Sequence, residues 1–573
     1  MLPSRSLRWA FITYIMIFLL LCVTARREII TKQNGVVATD ELTCSRIGRD
    51  VLQEGGNAVD ASVAASFCLG VLSPASSGLG GGAFMLLRLA NGGTTRAFDM
   101  RETAPILASR DMYAGNATLK EKGPLSIAVP GLLAGLHKVW EQYGKLPWKR
   151  LVQPAENLAR KGFKISPYLH MQMLKSQTDV MADDGLRAIF AMGGRLLKTG
   201  ETCHNTMLAH TLQVISNHGI KPFYNGSIGF RLVKDVRRSG GILKLEDLQK
   251  YEVKIRDPIF TEFLGLKVIG MPPPSSGGAA MALILNIIAL YGAQKNISGP
   301  LVTHRQIEAI KHAFAKRMNL GDPDFVNIEK DLADMISPKF AQQLKKTIHD
   351  NKTFSSTHYG GKWNQIEDHD TSHMSIVDKE RNAVSLTTSI NSYFGAKILS
   401  LNTGIILNNH MDDFSIPTNP SSKIHPPAPS NFISPGKRPL SSATPTIVIK
   451  DGNVKAVLGA SGGVKIIPAT TEVFLNYFVK GMDPLSAILA PRLYHQLIPN
   501  VVQHEKWTAA THDHFELDVR TKMALQIKGH VLRSYHGPGS VCQLVVQEER
   551  GGGEMTRLVA VSDPRKGGFP AGY

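Results

Sequence analysis

Residues 371–390, TSHMSIVDKERNAVSLTTSI, read as strand, turn and strand. In Thr371–Val377 the side chains of Thr371, His373 and Ser375 point one way, and those of Ser372, Met374 and Ile376 the other. Asp378–Asn382 is a polar turn, and Ala383–Ile390 is a second strand. The pattern predicts a β-hairpin with Thr371 at the head of its first strand.

Working outward, residues 57–72 are rich in Ala and other apolar or small residues, and Pro74 closes the stretch, which predicts a buried helix. A glycine loop follows at Ser77–Gly82. Ala83–Leu89 and Thr94–Met100 then read as strands joined through Asn91–Gly93. Arg101 is therefore expected at a strand end. Met271–Ala280 (MPPPSSGGAA) reads as a loop before an apolar helix over 281–291, and His304–Leu320 reads as a helix with Ile307, Ile310 and Phe314 on one face. Residues 416–445 hold eight prolines and no helical pattern, which suggests a lid, a binding loop or a linker. Val454–Leu458 is a short strand, Gly459–Gly463 a tight turn, and 467–479 a helix.

Composition excludes several classes. Of 573 residues 43% are apolar and 20% charged, so the chain is neither disordered nor fibrous. The net charge of +18 favours anionic surroundings, but it is scattered, with no basic run and no nucleic-acid motif; no nucleic-acid partner is expected. At the amino terminus Arg5 and Arg8 precede an apolar run from Trp9 to Val23, and Val23-Thr24-Ala25 offers a cleavage site before Arg26. This is the layout of a secretory signal over residues 1–25, with an uncleaved signal anchor as the alternative. Asn116, Asn225, Asn296 and Asn351 head N-x-S/T acceptors. Cys44, Cys68, Cys203 and Cys542 lie beyond the signal, an even number. Nothing spaces like a zinc site, and neither a metal nor another cofactor is expected.

Two motifs invite chemistry. Gly78–Ala83 fits a loose nucleotide loop, but it follows a helix and leads into a strand, the reverse of what that loop needs; close backbone packing is the better reading. Gly459-Ala460-Ser461-Gly462-Gly463 fits the serine-hydrolase elbow, with strand, turn and helix in the right order, so a Ser461 nucleophile is one hypothesis. The same glycines are alternatively N–H donors to an oxyanion. A threonine becomes a nucleophile when a base adjoins it, and a free amine on the same residue is such a base.

Six stretches occur in one order: Asp99–Pro105 (DMRETAP), Thr371–His373, Ser389–Asn391, Asn408–Phe414 (NNHMDDF), Pro439–Ser442 and Gly459–Gly463. Together they resemble the gamma-glutamyltransferases (gamma-glutamyl transpeptidases) from about residue 33 to Tyr573, and the full-length pattern is most similar to the plant branch. The resemblance implies an α/β N-terminal-nucleophile hydrolase fold, a four-layer α/β/β/α sandwich formed from two subunits of one precursor. Residues 26–370 would be the large subunit and 371–573 the small one, the two remaining together as a heterodimer.

It also implies roles. Thr371 is the nucleophile, Ser389 its support, and Gly462 and Gly463 the oxyanion donors. Arg101 binds the substrate α-carboxylate, while Asn391, His410 and Asp413 bind the α-ammonium and Ser441 and Ser442 complete the pocket. Asp412 is left structural. Cys44 and Cys68 match a family disulfide. The implied substrates are glutathione and its conjugates, with water or an amino acid or dipeptide amine as acceptor. Two positions depart from the family pattern: His410 stands where Glu or Gln is usual, and Asp370 where close relatives often have Gly. A slow-maturing or inactive member is therefore a second reading. The expected address is extracellular, in the apoplast or cell wall, with a vacuole or a membrane anchor as alternatives.

Overall fold

The computed structural model describes residues 26–114, 116–292, 299–366, 370–417, 425–548 and 556–573. The leader and the Asn296 acceptor lie outside these residues.

The predicted hairpin forms the middle of an antiparallel sheet. Its strands, Asp370–Val377 and Ala383–Asn391, pair from Val377 opposite Ala383 to Ser372 opposite Thr388. The register then shifts, and Asp370 faces Asn391. This bulge extends the hairpin one residue beyond the predicted ends and takes Thr371 out of the ladder, a device suited to re-aiming one side chain. The full sheet runs Ala571–Gly572, Val36–Thr39, Asp370–Val377, Ala383–Asn391, Gly82–Arg88, Thr95–Met100, Lys254–Arg256. A second seven-stranded sheet runs Ile29–Lys32, Arg557–Ser562, Val541–Glu548, Asn453–Ser461, Thr446–Lys450, Leu266–Gly270, Ile259–Phe263.

Period-two alternation decides the layering. Phe84 and Leu86 of the first sheet meet Ile447, Ile449, Val457 and Val545 of the second in one inner core. Their neighbours Ala83, Met85 and Leu87 turn outward into the core built with helices Ala58–Leu72 and Leu132–Tyr143. On the other side Val448, Leu458 and Leu544 pack with helices Gly277–Ala289 and Ile466–Phe478. The result is the α/β/β/α sandwich.

Helix Ala58–Leu72 starts at a capping box, with Asn57 accepting from the Val59 and Asp60 amides and Asp60 accepting from the Asn57 amide. Cys68 on this helix is bridged to Cys44 on Leu42–Gln53 across a separation of 24 residues. Closing a loop of that length contributes about 3 kcal/mol in the chain-entropy account. Cys203 and Cys542 are free buried thiols in different cores, so the even cysteine count does not translate into a second bridge.

Two boundaries differ from expectation. The helix predicted over 281–291 starts at Gly277, because the glycines read as loop punctuation are a close-packed first turn. A Cβ on Gly277 would stand 2.2 Å from Thr444 Oγ1, and one on Gly278 would stand 2.3 Å from the Met271 carbonyl. The next helix is Pro300–Arg317 rather than His304–Leu320, with Pro300 in its first turn. The described part of the proline-rich stretch is pinned. Asn431 Nδ2 donates to the Asp413 carbonyl at 2.7 Å, its Oδ1 accepts from the Leu440 amide at 3.0 Å, and Lys437 Nζ donates to the Ser430 carbonyl at 2.7 Å. This stretch therefore holds Asp413 and the approach to Ser441 in place.

Candidate active site

Thr371 is buried at the bulge, and both sides of its peptide bond are engaged. The Gly462 amide donates to Thr371 Oγ1 at 3.1 Å, and Ser389 Oγ donates to the Asp370 carbonyl at 2.9 Å. Ser389 Oγ is itself fixed by the Asn391 amide at 2.7 Å. The Thr371 carbonyl accepts from Lys566 Nζ at 2.8 Å.

The Asp370 carboxylate, expected to burden the scissile bond with bulk and charge, has a prepared nest. It accepts from Ser76 Oγ and, at 2.7 Å, from Gln172 Nε2, and Lys566 Nζ lies 3.8 Å away. Lys566 also pairs with Asp40 at 2.9 Å. Burial opposes its charge, but the Asp370 and Asp40 carboxylates outweigh burial and hold the ammonium above its ordinary range.

One wall of the space at Thr371 comes from the end of strand Thr95–Met100 and from the short turn His410–Asp413. Arg101 Nη2 donates to Asp413 and, at 3.2 Å, to the Leu440 carbonyl, and Nε donates to the Pro439 carbonyl at 3.3 Å. Nη1 carries no hydrogen bond among the described residues; its ion-pair neighbour is Glu102 Oε2 at 3.7 Å. Asn408 Oδ1 anchors the turn by accepting from the His410 amide at 2.9 Å and the Ala128 amide at 3.1 Å. Asp412 pairs with Lys120 Nζ at 2.7 Å.

Arg101, Thr371, Ser389, Asn391, His410, Asp413 and Ser441 therefore border one narrow cavity. Asn391 sits at φ +73°, a conformation Asn tolerates better than most residues, and its Nδ2 donates to the Asn409 carbonyl at 3.2 Å. Ser442 is fully buried, and its Oγ accepts from Arg317 Nη2 at 2.6 Å. Gly463 follows Gly462 in the same turn at φ +61°.

Ser461 is not arranged as a nucleophile. It ends strand Asn453–Ser461, its hydroxyl donates to the Val541 carbonyl at 3.5 Å, and among the described residues no imidazole or carboxylate hydrogen-bonds to it. The elbow-like glycines answer to other needs. A Cβ on Gly459 would stand 2.2 Å from His373 Cε1, whose buried ring occupies the space between the sheets. Gly462 has φ +124°, and a Cβ there would stand 2.4 Å from the Gly539 carbonyl. Gly462→Ala is accordingly expected to displace the amide that faces Thr371 and to lower kcat by about 10²-fold, read as initial rates of amide hydrolysis by the matured protein.

The Ser77–Gly82 loop does what close packing demands. Added Cβ atoms on Gly80 and Gly81 would stand 2.0 Å from the Ile406 and Ser389 carbonyls. The sequence reading missed Ser76, Gln172, Lys566, Arg317 and Glu102. Glu102 alone carried a signal, an acid next to Arg101 in DMRETAP.

Elsewhere, His304, Glu308 and His530 cluster, with His304 Nδ1 2.8 Å from His530 Nε2. Glu308 there already meets Lys311 Nζ at 3.3 Å and the Thr353 and Tyr359 hydroxyls at 2.7 and 2.5 Å, so the cluster holds its own cation.

Two facing antiparallel sheets between helices, with a threonine at a strand head against an amide donor, define an N-terminal-nucleophile hydrolase. The protein-family model for gamma-glutamyltranspeptidase matches residues 44–573, and this chain belongs to that family. It is 59% identical over 548 residues to glutathione hydrolase 2 of Arabidopsis thaliana, covering 95% of this chain and 94% of that protein. It is 37% identical to the glutathione hydrolase proenzyme of Escherichia coli K12, covering 94% and 92%. Among solved structures, the cephalosporin acylase of Bacillus halodurans superposes with a TM-score of 0.79 at 26% identity over 96% of this chain and 98% of that one. The gamma-glutamyltranspeptidase of Helicobacter pylori gives 0.53 at 34% identity, covering 55% of this chain and 91% of that one.

Proposed function

We propose that this chain is a self-processing gamma-glutamyltransferase and glutathione hydrolase. The observation that carries the reading is the pair of contacts at one bond: Gly462 N–H on Thr371 Oγ1 and Ser389 Oγ–H on the Asp370 carbonyl. Thr371 Oγ attacks the Asp370 carbonyl carbon, the C–N bond breaks, and the hydroxyl proton ends on the departing nitrogen. Water hydrolyses the resulting ester, leaving residues 26–370 and 371–573 as a heterodimer. The new Thr371 amine is then the base for its own hydroxyl.

In turnover, Arg101 Nη1 and Ser441 meet the donor α-carboxylate, and Asp413, Asn391 and His410 meet the α-ammonium. Thr371 Oγ takes the gamma-glutamyl group as an ester, and the proton leaves with the departing amine. Water or an incoming amine then bonds to the acyl carbon, the ester C–O bond to Thr371 Oγ breaks, and the proton the nucleophile gives up returns, through the Thr371 amine, to Oγ. A second cavity, of about 510 Å³, borders Gly462 and Asp370 and is lined by Lys175, Lys397 and Lys465. It is suited to the leaving group and to acceptors that carry a carboxylate, as amino acids and dipeptides do.

The same reading routes the chain through the secretory pathway to the cell exterior. The Cys44–Cys68 bridge and the exposed acceptors Asn116, Asn225 and Asn351 support it. Amino-terminal sequencing of the smaller fragment, run beside a glutathione assay, tests the proposal. The expected result is a fragment beginning at Thr371 that accompanies activity; an uncut chain with full activity would overturn it.

A further inference from the structure

Lys397 lines the larger cavity together with Asp370 and Gly462. Its backbone is left-handed, at φ +62°, a conformation that strains a lysine and that glycine adopts freely. The turn is fixed on both sides: the Ala396 amide donates to the Leu407 carbonyl at 2.8 Å, and the Gly123 amide donates to the Ala396 carbonyl at 3.0 Å. Lys397 Nζ donates to the Tyr393 carbonyl, and Lys175 Nζ stands 5.9 Å from the centre of the Tyr393 ring. Two ammoniums thus meet one residue of the cavity wall. Asp179 in the same wall is matched to Lys122 at 2.9 Å. Among the described residues neither Lys175 nor Lys397 has a carboxylate within ion-pair distance.

We propose that Lys397, with Lys175 as the second cation of the same wall, is the specificity-determining residue for the amine side of the reaction: its ammonium receives the carboxylate carried by the departing dipeptide or by the incoming acceptor. This rests on the gamma-glutamyl reading above, and it assigns to one side chain a preference that the cavity as a whole only permits. An ammonium has three N–H donors, and the Tyr393 carbonyl takes one of them. That bond and the anchored turn fix where the charge stands before a ligand arrives, so less order is lost on binding. Because Lys397 is half-buried, its attraction for an anion is screened less than it would be in open water. The strained backbone persists because the surrounding bonds over-determine it, and what it delivers is the position of the ammonium.

The charge has a limit in pH. Burial pushes the Lys397 ammonium down to about 8, while Asp179 and Asp412 support its charge and Lys122 opposes it. Lys175, Lys465, Asp370 and the Tyr393 and Tyr494 phenols are the other ionisable groups of the wall, and burial keeps the Tyr393 phenol protonated. The ammonium is therefore charged below about pH 8 and neutral above it. A preference for partners that carry a carboxylate is full on the acid side and fades as pH rises.

The test uses the matured two-chain enzyme and two peptides: S-methylglutathione, and the same peptide with its glycine carboxylate converted to an amide. Neither has a titrating thiol, and both place the same donor group on Thr371, so the ratio of their kcat/KM values isolates the carboxylate. The unaltered enzyme is expected to favour the carboxylate about tenfold at about pH 7 and less than about threefold at about pH 9.5. Lys397→Gly suits the left-handed backbone and is expected to bring the ratio within about twofold at both. Lys397→Arg carries a charge that does not titrate in this range and is expected to hold the ratio above about fivefold at both. Should Lys397→Gly fail to mature, Lys397→Asn is measured in its place, since Asn also tolerates that backbone. Equal rates for the two peptides in the unaltered enzyme, a ratio unmoved by loss of the Lys397 charge, or a ratio that falls with pH in Lys397→Arg as it does in the unaltered enzyme would each overturn the proposal. Absence of turnover of both peptides by the unaltered enzyme would instead sink the parent reading.

Discussion

Thr371→Ala is expected to accumulate as one uncut polypeptide and to release no product from glutathione above about one part in 10⁴ of the unaltered rate. Both losses have one cause. In the proposed reaction the hydroxyl that receives the Gly462 amide is the atom that opens the Asp370 carbonyl, and after the cut it is the atom that carries the acyl group. Intact-mass measurement reads the first loss and an amino-acid release assay the second. Thr371→Ser retains the hydroxyl and should still process, since Ser389 continues to hold the carbonyl under attack. A Thr371→Ala chain that still splits before residue 371 would place the attacking group elsewhere.

Arg101→Gln is expected to lower kcat/KM for glutathione by about 10³-fold, or about 4 kcal/mol, while leaving the appearance of the small chain intact. The guanidinium pairs with the buried Asp413 side chain and, in the proposed binding mode, also meets the donor's own carboxylate. Removing it takes a guanidinium away from Asp413 at a site that, in the proposed binding mode, receives another anion. Arg101→Lys restores charge but not the fork, and should recover only part of the loss. Because the Arg101 side chain makes its hydrogen bonds to Asp413, Pro439 and Leu440 and, among the described residues, none to Asp370 or Thr371, processing and turnover are expected to respond differently. Gel analysis of maturation alongside steady-state rates separates them.

What could be read in advance follows from the physics of each signal. The hairpin was legible because side-chain alternation along a strand is a local property. Arg101 could be placed at a strand end for the same reason. The layering was less so: Phe84 and Met85 look alike as letters, and only the opposing sheet decides which of them faces inward. The nest around Asp370 was invisible, because Ser76, Gln172 and Lys566 converge on it from three distant segments. The bulge was also hidden, since Asp370 and Ser372 differ in partner rather than in pattern. The Ser461 elbow shows the converse failure. A correct local order of strand, turn and helix arises there from His373 and Gly539 crowding the backbone, with no imidazole or carboxylate hydrogen-bonded to the hydroxyl among the described residues.

Both sheets interleave segments from before and after residue 370. Val36–Thr39 lies between Ala571–Gly572 and Asp370–Val377, and Leu266–Gly270 is hydrogen-bonded to Thr446–Lys450. The proposed cut at the bulge would thus remove a covalent link without removing a neighbour from any strand. The two products of such a cut would be threaded through each other, since each seven-stranded sheet takes strands from both. For such a molecule parting and unfolding would be the same event, so the nick of the proposed maturation would leave its surroundings as firmly held as they were before it.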